Sequence, residues 1–472
     1  MAKIKEQFVG KIVSVRGQVV LIDCETEYRP RLRELLVTDD EARAKLEVYA
    51  YESAHEIYCL LLSSRNDVCR NMKVVSTGTE LTIPVGEAVL GRVINLFGET
   101  QDKGGPLPKE TVYAPIYQEA KNVVVRNLHT LKDNGSGILE TGIKAIDFFT
   151  PLPKGGKLGL VGGPGVGKTV LMTEIMRNIN RQGDNLTVFA GIGERIREGH
   201  ELLETLKAAG ILKNTALVVG HMNENAAIRF KIAWSAATVA EYFRDIMKRD
   251  VLFFVDNIFR FVQAGSELST LLGEIPSEFG YQPTLQTEIA QFESRLKSTS
   301  DAFITSIQTI YAPADILTNP SIVDTLPHLV AVTILSRNIA HEGRYPALDV
   351  LKSKSSVVNE DFVGKEHHEA VTKSIEILNH YDRLTRITSI IGEEELTPDD
   401  RKLYQRAQKI LNYMTQPFFT TSTQTGRPGV LVARKDVVRD VHLIIQGRFD
   451  SVPAEQLLYI GDFDNAVFSR FI

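Results

Sequence analysis

The sequence predicts a three-part chain: a small β-barrel, a mainly parallel α/β core with a phosphate-binding loop, and a helical C-terminal region. Three observations predict it. Short β-type runs separated by turn residues fill residues 1–83. Apolar strands alternate with helical segments over 84–358. From 359 onward the β signals fade and helical periodicity takes over, through to 472.

The runs Gly10–Ile22, Leu46–Tyr51 and Glu56–Leu62 are strand candidates of the barrel. Through Glu80 there are 12 Lys and Arg against 13 Asp and Glu, so this barrel presents no basic face for nucleic acid. The whole chain, at net charge −5 with 43% apolar and 24% charged residues, has a globular composition. No apolar run approaches the ~20 residues of a membrane span. The first ten residues show no signal-peptide core. The expectation is therefore a chain that begins with its first strand and meets a membrane only through a larger complex. Cys24, Cys59 and Cys69 form no paired motif and read as reduced, buried thiols.

In the core, the candidate buried strands are 157–161, 186–191, 216–219, 251–255, 302–309 and 329–335. Helical segments such as 201–209 and 233–248 separate them. Between the first strand and the helical run that starts at Val170 lies Gly162-Gly163-Pro164-Gly165-Val166-Gly167-Lys168-Thr169. This fits Gly-x-x-x-x-Gly-Lys-Thr in its required strand–loop–helix context. Glycines let successive N–H groups turn toward phosphate oxygens. Lys168 reaches the outer phosphates and Thr169 offers a hydroxyl to Mg²⁺. A nucleoside triphosphate is the implied ligand.

Two acids end apolar strands. Asp256 closes 251–256, the position from which a carboxylate holds Mg²⁺ through water. Glu194 stands at the end of the strand that begins near 186, where a carboxylate can orient an attacking water. Arg195, next to it, is expected to keep Glu194 ionised or to touch the γ-phosphate. Arg260 is a second phosphate candidate. Helices are expected over 366–391 and from Thr397, with Thr397 as cap, Pro398 at the first helical position and Asp400 where a capping box wants an acid.

The ordered set formed by the phosphate loop, Gly193-Glu-Arg-Ile-Arg-Glu-Gly199, Val255-Asp-Asn-Ile-Phe-Arg-Phe261, Gly280-Tyr-Gln-Pro-Thr284 and Tyr311-Ala-Pro-Ala-Asp315 closely resembles the catalytic beta-subunit family of F-type rotary ATP synthases. The resemblance spans essentially the whole chain and is weakest over 25–75. It implies a RecA-like P-loop NTPase core, a β-barrel crown and a C-terminal helical domain. Three such chains would alternate with three alpha subunits around a central gamma stalk, peripheral on the cytoplasmic face of a bacterial membrane.

Carried over by motif, the resemblance assigns Lys168 and Thr169 to phosphates and Mg²⁺. Asp256 and Glu198 order Mg²⁺ and its waters, and Glu194 positions the hydrolytic water. Arg195 and Arg260 contact the γ-phosphate, near Tyr311. Val170 follows the loop, and Tyr345 and Phe418 sandwich the adenine. The last electrophile is expected from a neighbouring alpha subunit, as an arginine in trans. The acidic stretch 393–400 matches a lever on the stalk.

Some positions depart from the pattern. Pro164 removes one loop N–H, and Gln424 stands where an aromatic completes the adenine pocket. His368 and Ser356, with Lys352 and Lys354, alter the surface toward a non-catalytic nucleotide. Asn319 and Ile316 change the charge of the loop after Tyr311. Three other readings are disfavoured. Glu194 argues against a non-catalytic alpha-type subunit, the neutral barrel against an RNA translocase, and Asn257-Ile-Phe-Arg260 against an export ATPase.

Overall fold

The computed structural model describes residues 7–118, 137–183 and 185–464. The extreme N-terminal segment considered above therefore lies partly outside the described residues. The chain divides into two compact units: 1–124 with 186–204 and 212–302, and 125–185 with 205–211 and 303–472.

The first unit opens with a closed barrel of six antiparallel strands: Gln7–Arg16, Val19–Cys24, Glu34–Thr38, Lys45–Tyr51, Glu56–Leu61 and Lys73–Glu80. In spatial order they run first, second, fifth, fourth, third, sixth, which leaves no unpaired edge. Alternate β-branched and leucine side chains, among them Val20, Ile22, Leu46, Val48 and Ile57, fill its centre. At Gly10 the first strand passes so close to its neighbour that a Cβ would lie 1.8 Å from the Asp23 carbonyl oxygen. Cys24 and Cys59 are buried in this core as expected. Cys69 is not: it is exposed, outside the strand pattern that buries the others.

The same unit carries four parallel strands in the order Val251–Asp256, Leu186–Glu194, Thr215–His221, Val93–Ile94. Their runs are apolar on both faces because helices cover them. The largest of these, Ala226–Asp245, buries most of its length. Its N-cap Asn225 accepts the Ile228 N–H at 2.9 Å.

In the second unit the strand Lys157–Gly162 lies between Ala331–Leu335 and Ile304–Tyr311, all parallel. A two-residue strand, Lys354–Ser355, adds antiparallel to Ala331–Leu335. Among the described residues beyond 359 the regular structure is helical. Residues Lys365–Ile391 form one helix of 27 residues. The next helix, Pro398–Tyr413, starts at the expected cap. Thr397 Oγ1 accepts the Asp400 N–H at 3.2 Å and donates to Asp400 Oδ2 at 2.8 Å. The Asp400 carboxylate therefore grips the capping hydroxyl rather than the Thr397 N–H that a capping box would engage. Between the helices, Glu393–Glu395 make a single 3-10 turn anchored by buried Leu396 against Leu384 and Tyr404.

Candidate functional site

In the second unit, strand Lys157–Gly162 feeds the phosphate loop directly into helix Lys168–Gln182. Gly165 and Gly167 have φ of +77° and +88°, a left-handed region that side chains disfavour. At Gly163 a Cβ would lie 2.1 Å from the Asp315 carboxylate, so a side chain there would have to displace that group. The loop ends at the N-terminus of a 15-residue helix, where the helix dipole favours an anion. Lys168 Nζ donates to the Gly162 carbonyl at 2.8 Å and also to that of Gly163. It stands 5.6 Å from the centre of the Tyr311 ring. The ammonium is thus held by the loop's own carbonyls. Thr169 and Val170 are exposed in the first helical turn. Asp315 pairs with Arg337 at 3.1 Å beside Gly163, a cation at the loop edge that no motif flagged.

Next to the loop is a cavity of about 240 Å³ lined by Val166, Val170, Tyr345, Phe418, Gln424 and Tyr459 among others. Tyr345 is 40% exposed and Phe418 only 6%, so one ring is a movable wall and the other a fixed one. The Phe418 loop is fixed by the buried Glu174 carboxylate, which accepts the N–H groups of Phe419 and Thr420, both at 3.0 Å. The structure therefore brings together Tyr345, Phe418 and the departure at Gln424. It adds Tyr459 and Arg427, which the sequence did not reveal.

In the first unit, parallel register sets Gly191 opposite Asp256, so the two strands end side by side. Glu194 projects at the end of its strand and is hydrogen-bonded to Glu198. Burial, the Asp256 charge and Glu198 together push its carboxyl up to about 9, opposed by the Arg260 charge. Asp256 is 6% exposed. Asn257 caps the helix Ile258–Leu271 by accepting the Arg260 N–H at 3.0 Å, and Arg260 Nη1 donates to Gln263 at 2.9 Å. Gly193 sits at φ +66°, a left-handed conformation that side chains disfavour, in van der Waals range of the Arg260 side chain.

Arg195 behaves differently from expectation. The strand ends at Glu194, and Arg195 lies between it and the helix that starts at Ile196. Its side chain is 68% exposed and faces Glu198 at 3.7 Å, so it does not keep Glu194 ionised. Burial and the neighbouring Asp256 and Glu198 carboxyls instead raise the Glu194 pKa.

Among the described residues no group of three or more His, Cys, Asp or Glu forms a ready metal cage. The residues nonetheless fit Mg²⁺. That ion keeps several waters and takes only one or two carboxylates plus phosphate oxygens. A raised Glu194 beside Asp256 and Glu198 marks a spot with surplus negative charge.

Residues 142–355 match the family model for the ATP synthase alpha/beta family, nucleotide-binding domain. Residues 356–429 match that for the C-terminal domain of V and A type ATP synthase. The first match agrees with the phosphate loop, the strand-end acids and the parallel strands described above. The second points to the V and A branch rather than to the expected F branch. Together the two matches support a rotary ATP synthase alpha/beta subunit whose nucleotide-binding domain spans residues 142–355.

Proposed function

We propose that this is the catalytic subunit of its complex, similar to the F-type beta subunit, making ATP from ADP and phosphate and hydrolysing it in reverse. The observation that supports catalysis most is Glu194, a strand-end carboxyl pushed up to about 9 beside Asp256. A purely structural acid gains nothing from such a position, whereas perturbed carboxyls cluster where chemistry is done.

The roles follow from the groups present. Lys168 exchanges the loop carbonyls for β- and γ-phosphate oxygens, and the loop N–H groups from Gly162 to Thr169, save Pro164, take the rest. Tyr345 and Phe418 hold the adenine faces. Glu194, once ionised, accepts a hydrogen bond from the attacking water and aligns it. Arg260 faces the charge that builds on the γ-phosphate. Arg195, turned toward Glu198, has to swing inward to join it. When bound, Mg²⁺ would neutralise phosphate charge, held by the Thr169 hydroxyl and, through water, by Asp256 and Glu198.

The F-type reading draws support from the segments 193–199, 255–261 and 311–315. The match over 356–429 favours a V- or A-type reading instead. In either reading the proposed setting is an alternating ring with homologous partners around a central stalk. Stalk rotation then opens and closes the site, so product release rather than bond formation takes up the mechanical work. The turn at Glu393–Glu395, shaped by Leu396, is the proposed lever. Changes at His368 and Ser356 are proposed to alter the non-catalytic nucleotide site.

In this reading the chain lacks one catalytic arginine, supplied by a neighbouring alpha subunit. Alone it binds Mg–ATP but turns over slowly, and assembly with that partner raises turnover by roughly 10³–10⁵. Steady-state hydrolysis by the isolated chain and by the reconstituted ring measures this. Full turnover by the isolated chain refutes the assignment, and the stalk subunit that co-purifies with the chain decides the branch.

A further inference from the structure

We propose that Tyr459 is a positioning and selectivity residue of the base pocket, presented by the C-terminal segment as a third aromatic wall beside Tyr345 and Phe418. The inference rests on reading that cavity as the place of the nucleotide base.

Tyr459 lines the 240 Å³ cavity together with Tyr345, Phe418 and Gln424. Three hydrogen bonds fix it. Its hydroxyl donates to the Gly343 carbonyl and accepts the Tyr345 N–H at 3.2 Å. Its own N–H donates to Thr415 Oγ1 at 2.7 Å. One side chain therefore staples the segment that carries Tyr345 to the segment that leads into Phe418. The Gln416 N–H adds a second tie, donating to the Tyr345 carbonyl at 2.9 Å. Tyr459 adopts φ +56°, a conformation bulky residues seldom take unless their surroundings impose it.

The surroundings do impose it. Buried Lys144 donates through Nζ to the Ile460 and Gly461 carbonyls at 2.8 and 3.3 Å, and sits 4.1 Å from the centre of the Tyr413 ring. The Phe463 N–H donates to Asp440 Oδ2 at 2.8 Å. The segment is thus pinned at the Tyr459 N–H and at three of the four residues that follow it. The Arg427 guanidinium lies 4.2 Å from the centre of the Tyr459 ring and braces it from solvent. Gln424 supplies an amide but no flat apolar face, so a third aromatic surface in this cavity comes from Tyr459. A two-ring purine can contact that surface while still against Tyr345 and Phe418, and a pyrimidine has less to offer it.

Equilibrium binding to the full chain tests this, with Mg–ATP, Mg–CTP and base-free Mg–tripolyphosphate as probes. Tyr459→Ala should weaken Mg–ATP by about five- to 150-fold, the range of a lost base–aromatic contact. It should narrow the ATP-to-CTP preference and leave tripolyphosphate affinity unchanged. Tyr459→Phe keeps the wall but loses the staple, so a smaller ATP-only loss is expected, and Tyr459→Trp should restore most of the binding. Equal weakening of ATP and tripolyphosphate shows a general structural role and overturns the proposal. Unchanged ATP affinity overturns it too. Should Tyr459→Ala fail to fold, Tyr459→Phe decides by the same comparison. Failure of the underlying site reading has a different signature, namely Mg–ATP affinity that survives Lys168→Ala.

Discussion

Glu194→Gln is expected to make the nucleotide-free chain more stable, and increasingly so as pH rises from 6 to 8.5. The wild-type carboxyl is pushed up to about 9 by burial and by Asp256 and Glu198. In the unfolded chain it returns to about 4.3. Between those values the folded state binds a proton that the unfolded state has released. Its stability therefore falls with rising pH across that window. Glutamine has nearly the same shape, stays neutral and keeps a donor for Glu198. A gain of about 1–3 kcal/mol at pH 8.5 is the expected size, seen as a melting temperature raised by a few degrees. Other perturbed groups, such as Asp147, titrate in both proteins and cancel in the difference. A melting difference that stays flat or shrinks with pH would show that Glu194 is not under this pressure. The gain is what a site built for chemistry rather than stability leaves on the table.

The second large effect concerns the first unit's framework. Lys231 Nζ lies 2.7 Å from Glu47 Oε1, with the two side chains only 4% and 3% exposed. Tyr117 completes the cluster, donating to Glu47 at 3.0 Å and accepting from Lys231 at 2.6 Å. This joins a barrel strand to helix Ala226–Asp245. Lys231→Met removes the cation and leaves the Glu47 carboxylate buried with one oxygen already lacking a partner. The expected loss is about 3–5 kcal/mol. Lys231→Met with Glu47→Leu removes both charges and should recover most of it, because desolvation of the pair offsets much of its attraction. Urea unfolding followed by amide exchange in the barrel strands reads both. A single variant as stable as wild type would contradict the account, as would a double variant no better than the single.

What the sequence disclosed follows from how local each signal is. Strand, glycine loop and helix are contiguous over 157–182, so the phosphate loop was legible with its neighbours. Glu194 and Asp256 were legible because an acid closing an apolar run has few other reasons to be there. The Thr397 cap was legible for the same reason, though the partner chosen by Asp400 was not. The direction of Arg195 escaped because sequence adjacency says little about which side of a strand end a residue faces. Tyr459 escaped because its bond to the Tyr345 N–H spans 114 positions with no periodicity to mark it. Lys144 and Gln416, 272 apart, are hidden in the same way. The branch of the family was hard to read for another reason. The helices beyond 359 carry mostly packing residues, and amphipathic periodicity looks alike in different helical domains.

The central claim is that Glu194 aligns water against a triphosphate held by Lys168. Single-turnover cleavage of Mg–ATP in the assembled ring, measured beside equilibrium Mg–ATP binding, tests it most directly. For Glu194→Gln the account predicts cleavage slower by about 10²–10⁴ with nucleotide affinity essentially retained. Cleavage at the wild-type rate would contradict it.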